Sequence, residues 1–198
     1  ALKALAATEN VTAGKTKDTA DKYDAAKAEA DQAVTDAETL IANPNATPEQ
    51  VAAALANVNT KKAALEKAKE ALVEKATDEQ KAALEAAEAA LTPIAENTLD
   101  GVKTPNSINE YKQAVAGIQT DLTQAKAKAA ELVEKAKTNN ATKADATLAL
   151  AKVEELKAKL EAAKGLLKDK ANTTELTNAK EALKALAATE NVTAGKTK

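Results

Sequence analysis

The chain has 198 residues with no Cys, His, Met, Trp, Phe or Arg, and its 28 lysines against 30 acidic residues leave a formal net charge of −2. The missing thiols and imidazoles exclude disulfides, Cys/His zinc sites and Cys- or His-assisted nucleophilic chemistry. The lack of Arg forks and of a basic stripe with stacking aromatics counts against a nucleic-acid reader.

Five Gly and four Pro among abundant Ala, Lys, Glu, Leu and Thr leave the palette of helices joined by short capped loops. Much of the apolar fraction is alanine, so each core is expected to be narrow, with helices packed close. No secretion signal, membrane-spanning run or lipidation motif is visible, and the chain reads as an excerpt of something longer. Cysteine count leaves the compartment open.

The chain opens with ALKALAATENVTAGKTK, Ala1–Lys17, which recurs unchanged as Ala182–Lys198. Helical composition alone does not produce a seventeen-residue identity, so the sequence covers one period of an array plus the opening of the next. A second repeat lies inside the period. Lys15, Thr16 and Tyr23 match Lys103, Thr104 and Tyr111 at an offset of 88, and NAT at 45–47 matches NAT at 140–142 at an offset of 95. The difference of seven residues is two helical turns, which lengthens a helix while keeping its buried stripe in phase.

Residues 1–9 read as the tail of a first helix, truncated and therefore prone to fray. After the loop at Gly14, Tyr23, Ala26, Ala30, Ala33, Ala37 and Leu40 form a stripe that Val34 and Ile41 widen. Asn43, Pro44 and Asn45 break the chain. Thr47, Pro48 and Gln50 then supply a cap, an N1 proline and a capping-box partner for a helix expected to bury Val51, Leu55, Val58, Leu65 and Leu72. Thr77 with Gln80 starts the next helix. Beyond the loop at Gly101, Thr104 with Pro105 opens a long helix whose Ile108, Tyr111, Val115, Ile118, Leu122, Ala125, Ala129, Leu132 and Ala136 form a coiled-coil seam. Its partner buries Leu150, Val153, Leu160 and Leu167, and Asn172 with Glu175 offers the last start. The links Val73–Asp78 and Lys168–Thr173 hold no Gly or Pro, which favours semi-rigid connections.

The expected fold is all-α: two tandem three-helix bundles, coiled-coil-like and elongated, the first helix truncated at the N-terminus. Residues 1–75 form the first bundle, 76–170 the second, and 171–198 start the next repeat period.

Site chemistry is sparse. The single serine, Ser107, sits at a helix start where capping accounts for it. Tyr23 and Tyr111 read as core rings whose hydroxyls reach a loop or solvent, rather than as ligand contacts. Carboxylates line the helices as solvated faces, with no EF-hand loop among them. Paired carboxylates without a shaped cleft do not make a glycosidase. The apolar stripes are too narrow and alanine-rich to favour lipid. No catalytic, cofactor or metal residue is nominated, and no ligand-binding residue stands out.

The stretches ELTNAKEALKAL, KTKDTADKY, NATPEQV and ALAN, and in the second copy DEQKAALEAAEAAL, KTPNSINEY and NATKADA, carry a resemblance. They resemble the FIVAR modules of large staphylococcal and streptococcal surface proteins of the matrix-binding type. Ala20 and Ile108 stand where that family often has tryptophan, and Ala146 stands where the first copy has Val51. A ligand site that used the tryptophan therefore does not carry over.

The resemblance implies a non-enzymatic module exposed on the cell wall of a Gram-positive bacterium, where glycan attachment at the Asn10, Asn45, Asn140, Asn172 and Asn191 triplets is not expected. The tandem pattern points to a stalk that projects an adhesive domain. The alternative is an adhesin module that binds an extracellular-matrix or plasma protein such as fibronectin through avidity. A further rival, an intracellular coiled-coil scaffold, requires self-association through the seams. Expected partners are neighbouring repeats of the same chain and a host matrix protein. Nucleic acid and membrane insertion are not expected, and the chain is expected to be a monomer.

Overall fold

The computed structural model describes residues 11–189, so the expected first-helix tail at residues 1–9 and its fraying lie outside the described residues, as does the repeated segment from residue 190 on. The helices are α1 (Lys17–Ile41), α2 (Pro48–Glu70), α3 (Asp78–Ala90), α4 (Pro105–Ala116), α5 (Gln119–Lys137), α6 (Lys143–Lys164) and α7 (Thr174–Thr189), with a 3-10 turn at Glu96–Thr98. The described residues hold no strand, only isolated bridges between loops. The chain is all-α and built of helical bundles, as its composition and spacing require.

The capping chemistry explains where helices begin. At α2, Thr47 Oγ1 accepts the Gln50 N–H while Gln50 Oε1 accepts the Thr47 N–H at 3.0 Å, and Pro48 fills the first turn. Thr77 and Gln80 make the same reciprocal pair at α3. Such a box satisfies orphan N–H groups of the first turn, and losing its hydroxyl costs about 1 kcal/mol.

Two expectations need correction. The seam from Ile108 to Ala136 is not one helix: α4 ends at Ala116, Gly117 and Ile118 interrupt it, and α5 begins at Gln119. Gly inside a helix is about 1 kcal/mol worse than Ala, whereas the first copy carries Glu29 at this place and its α1 runs unbroken for 25 residues. The seam positions nonetheless remain buried or half-buried on both sides of the break. Second, Val51 and Leu55 are 52% and 60% exposed. They lie at the start of α2, and among the described residues no third helix covers them. Their second-copy counterparts, Ala146 and Leu150, are buried and half-buried.

The chain divides into two units, one of Ala1–Thr92 with Ile118–Leu160, the other of Pro93–Gly117 with Glu161–Lys198. In the first, the α1–α2 hairpin closes over Tyr23, Ala30 and Leu65, flanked by Val11, Ala26, Val34, Val58, Ala68 and Leu72. Small alanines let the two helices approach closely. In the same unit α3 lies along α5. Gln80 Nε2 reaches Thr147 Oγ1 of α6 at 2.9 Å. Leu84, Leu122, Leu132, Leu156 and Leu160 are fully buried there.

In the second unit, Leu99, Ile108, Tyr111 and Ala163 form the core, with Ile94, Ala114, Val115 and Leu167 against it. Along α7 the described side chains face solvent, among them Leu176 and Leu183 at 72% and 67% exposure.

Candidate functional site

The most specific chemistry in the chain lies where loops meet helix ends, and it occurs twice. Where each hairpin closes, the segment leaving its last helix pairs with the loop that enters its first. In the first copy Thr16 N–H donates to Val73 O at 2.8 Å and Lys75 N–H to Gly14 O at 3.0 Å. In the second, Thr104 N–H donates to Lys168 O and Lys170 N–H to Val102 O, both at 2.9 Å.

A hydroxyl completes each closure. Thr19 Oγ1 accepts the Val73 N–H at 3.3 Å, and Ser107 Oγ accepts the Lys168 N–H at 3.1 Å. Both hydroxyls donate back to the carbonyl three residues earlier, on Thr16 and Thr104. Ser107 is therefore a buried tie between two chain segments rather than a helix cap, a role its single-residue context did not reveal. The left-handed backbone that turns each entering loop is supplied by Gly14 and Gly101, at φ 71° and 80°.

The segment leaving α2 makes a second set of bonds on its other side, to the loop between α5 and α6. Ala76 N–H donates to Ala141 O at 2.8 Å and Lys143 N–H to Glu74 O at 2.9 Å, while the start of α1 joins the same loop through Lys17 N–H to Asn139 O at 3.0 Å. Asn140 clasps the start of α1: its Oδ1 accepts the Asp18 N–H at 3.0 Å and its Nδ2 donates to the Asp18 carboxylate at 2.8 Å. Asn139 holds a left-handed φ of 57°, a conformation asparagine tolerates better than other non-glycine residues. Lys143 Nζ pairs with Glu74 at 2.9 Å and holds that carboxyl below its usual range, with a smaller contribution from Lys15. Residues 74–76 thus run between two loops and bond to both.

The tyrosines sit at matching core positions but differ in their hydroxyls. Tyr111 Oη accepts the Ile94 N–H at 2.7 Å. Tyr23 Oη is buried and has no partner among the described residues. The charged faces carry local ion pairs. Glu131, bridged by Lys135 at 2.6 Å and Lys128 at 2.9 Å, is held down to about 2. Glu155 is lowered by Lys159 and then Lys152, while Lys152 is raised by Asp121 and then Glu155.

Among the described residues no group of three or more acidic side chains converges to hold a metal, and no helix is long and apolar enough to cross a membrane. The cavities are shallow surface grooves. One of about 280 Å³ lies between Asp121, Lys128, Leu148 and Lys152.

These features define a class of protein: an alanine-rich helical repeat whose distinctive polar contacts fasten one chain segment to another. Residues 1–66 match the FIVAR domain family. Over 124 residues, 63% of its length, the chain is 32% identical to the Extracellular matrix-binding protein EbhB of Staphylococcus aureus strain N315. It is equally similar to EbhB of strain Newman and to the Extracellular matrix-binding protein ebh of strain NCTC 8325. The chain spans only 3%, 2% and 1% of these relatives. No solved structure matches it.

Proposed function

We propose that this chain is a non-enzymatic tandem repeat of a bacterial cell-surface protein, acting as an elongated spacer that projects an adhesive domain from the cell wall. Its bundles are residues 1–75 and 76–170, and residues 171–198 open the next period. The observation that carries this reading is the clasp at residues 74–76. A loose string of modules needs only a tether, whereas here the exit of one hairpin bonds along both sides to flanking loops. The family match and the relatives, named as extracellular matrix-binding proteins, support the location.

Joints of two kinds then alternate along the array. Pro105 stands at the position of Lys17, and Pro48 at that of Lys143, so a joint between periods lacks the N–H donor that bonds Glu74 O and the one that ties the start of α1 to the α5–α6 loop. The spacer is stiff within a period and more yielding between periods.

Small-angle X-ray scattering from a dilute solution tests the spacer. A helix of about 26 residues spans roughly 39 Å, so two bundles in series give a maximum dimension near or above about 80 Å. A compact, folded-back monomer would contradict it.

A second reading is favoured by the relatives' printed name, which describes matrix-binding proteins. On it, each bundle offers a weak site for a host matrix protein and the array adds avidity. It requires saturable binding of fibronectin, fibrinogen or another matrix or plasma protein to this fragment, and a flat response to all of them removes it.

A further inference from the structure

The outward face of α6 carries differences between the two copies that the core does not use. At the offset of 95, Gln50, Ala53 and Asn57 of α2 become Asp145, Leu148 and Lys152 of α6, and Glu49 becomes Ala144. Two neutral amides are thus replaced by an acid and a base, and the alanine between them by a leucine. Leu148 is 72% exposed, and Ala144 and Asp145 are exposed too, so the core gains nothing from the exchange. Positions 145, 148 and 152 lie three and four apart and share one face, with a rise of about 10 Å between the acid and the base.

Leu148 also lines two grooves of the same unit. One, of about 280 Å³, runs between α5 and α6 and is lined by Asp121, Ala125, Ala149 and Lys152. The other, of about 530 Å³, lies between α6 and the segment leaving α2, where Val73, Ala144 and Thr147 line it. A singly exposed leucine is ordinary. A leucine set between an acid and a base on one face is a pattern that complements itself. Laid antiparallel on a second copy, the helix brings position 145 to position 152 of the other copy at both ends, because the midpoint of the two falls between 148 and 149. Each Leu148 then lies over the other copy's Ala149 and its groove, while the small Ala144 and Ala151 let the helices approach. Parallel packing would oppose like charges instead. Lys152 already pairs with Asp121 at 3.1 Å and Glu155 at 3.2 Å, yet its ammonium has three donors and its side chain stays 42% exposed. Asp145 takes part in no salt bridge among the described residues.

We propose that the outward face of α6 is a homotypic contact, on which a second copy of this chain docks antiparallel through Asp145, Leu148 and Lys152. The contact is isologous, so it closes at two copies. One helix face is small beside the ~800 Å² that each partner buries in a standard interface, so the dimer forms only at high concentration. The monomer expected from the sequence is then the dilute limit. The inference does not depend on the spacer reading, because it uses only groups that one unit of the fold already holds together.

Sedimentation equilibrium on the intact chain at low salt tests this. The weight-average mass is expected to rise from 20.4 kDa toward twice that value, and not beyond it, as concentration goes from micromolar to millimolar. Asp145→Lys sets two cations against each other at both ends of the contact, and Lys152→Glu sets two acids. Each variant alone is expected to stay at 20.4 kDa, whereas their equimolar mixture forms the dimer, since every cation then meets an acid. Leu148→Glu, at an exposed position, is expected to remain monomeric with its helix content unchanged. A wild-type mass that never rises or that passes two copies would overturn the proposal. So would single variants that associate like the wild type, or a mixture no heavier than its components. Scattering separates the two ideas: an elongated monomer at every concentration ends this inference and leaves the spacer, while a compact monomer ends the spacer.

Discussion

Replacing Lys143 by proline isolates the clasp from the helices it joins. Lys143 is the first residue of α6, where proline is tolerated because its N–H is not part of the helix ladder. The first copy carries Pro48 at this place with α2 intact. The substitution deletes the Lys143 N–H to Glu74 O bond at 2.9 Å and the Lys143 to Glu74 ion pair at 2.9 Å.

A hydrogen bond of this kind contributes about 1 kcal/mol net, and the exposed ion pair adds little. A loss of about 1 kcal/mol corresponds to roughly a fivefold change in an opening equilibrium. Amide hydrogen exchange read by NMR is therefore expected to speed up about fivefold at Ala76 and Lys17, whose N–H groups bond across the same clasp. Exchange at Thr104, bonded to Lys168 O in the other closure, should not change, and neither should helix content. Unchanged exchange at Ala76 and Lys17 would show that residues 74–76 are not held cooperatively, and a loss of α6 would show that the helix rather than the joint was perturbed.

Other substitutions separate core from surface. Leu65→Ala, at a fully buried site in the α1–α2 core, should cost about 2–5 kcal/mol in chemical denaturation, whereas Leu55→Ala should stay within about 0.5 kcal/mol; equal effects would refute the burial difference. Tyr111→Phe strands the Ile94 N–H and should cost about 1–3 kcal/mol, while Tyr23→Phe removes a hydroxyl with no described partner and should be close to neutral in thermal melts. Acid should destabilise the fold through its lowered carboxyls. Glu131 titrates at about 2 when folded against an ordinary 4.5, so its contribution is complete above 4.5 and disappears as pH falls toward 2. Glu74 and Glu155 shift in the same direction. Lys135 and Lys152 are raised, so their contribution is complete below 10.5 and is lost as pH rises beyond it. A melting temperature that rises on acidification below 4.5 would contradict the signs.

Periodicity made most of the helical architecture legible, because alternating three- and four-residue spacing leaves few other ways to bury Tyr23, Leu65, Leu122, Leu132 and Leu160. The Thr47 and Thr77 boxes were legible too, since their partners lie three residues away. Thr104 looked like a similar start, yet its hydroxyl pairs with Ser107 instead of capping. At the last helix, Asn172 Oδ1 accepts the Thr174 N–H at 3.0 Å, and the helix begins at Thr174. Leu156 is fully buried as well, and Val153, Leu156, Leu160 and Ala163 continue the seam spacing.

The Gly117 interruption had its signal in the glycine itself, outweighed by a seam that continues through it. Val51 and Leu55 obey the helical period, but period alone does not say whether a neighbour arrives to cover them. The clasp was the least legible part. Lys17, Glu74, Asn139 and Lys143 meet through backbone groups, which carry no side-chain signature, across up to 122 residues of sequence.

The central claim is that residues 74–76 fasten the first hairpin to the α5–α6 hairpin as one stiff body. The chain has no cysteine, so spin labels introduced at the exposed positions Thr39 and Lys157 are the only thiol-linked probes, and pulsed electron–electron resonance measures the distance between them in dilute frozen solution. A single narrow distance distribution that broadens in the Lys143→Pro variant is the predicted result. A broad distribution in the wild-type chain, or one insensitive to the substitution, would contradict it.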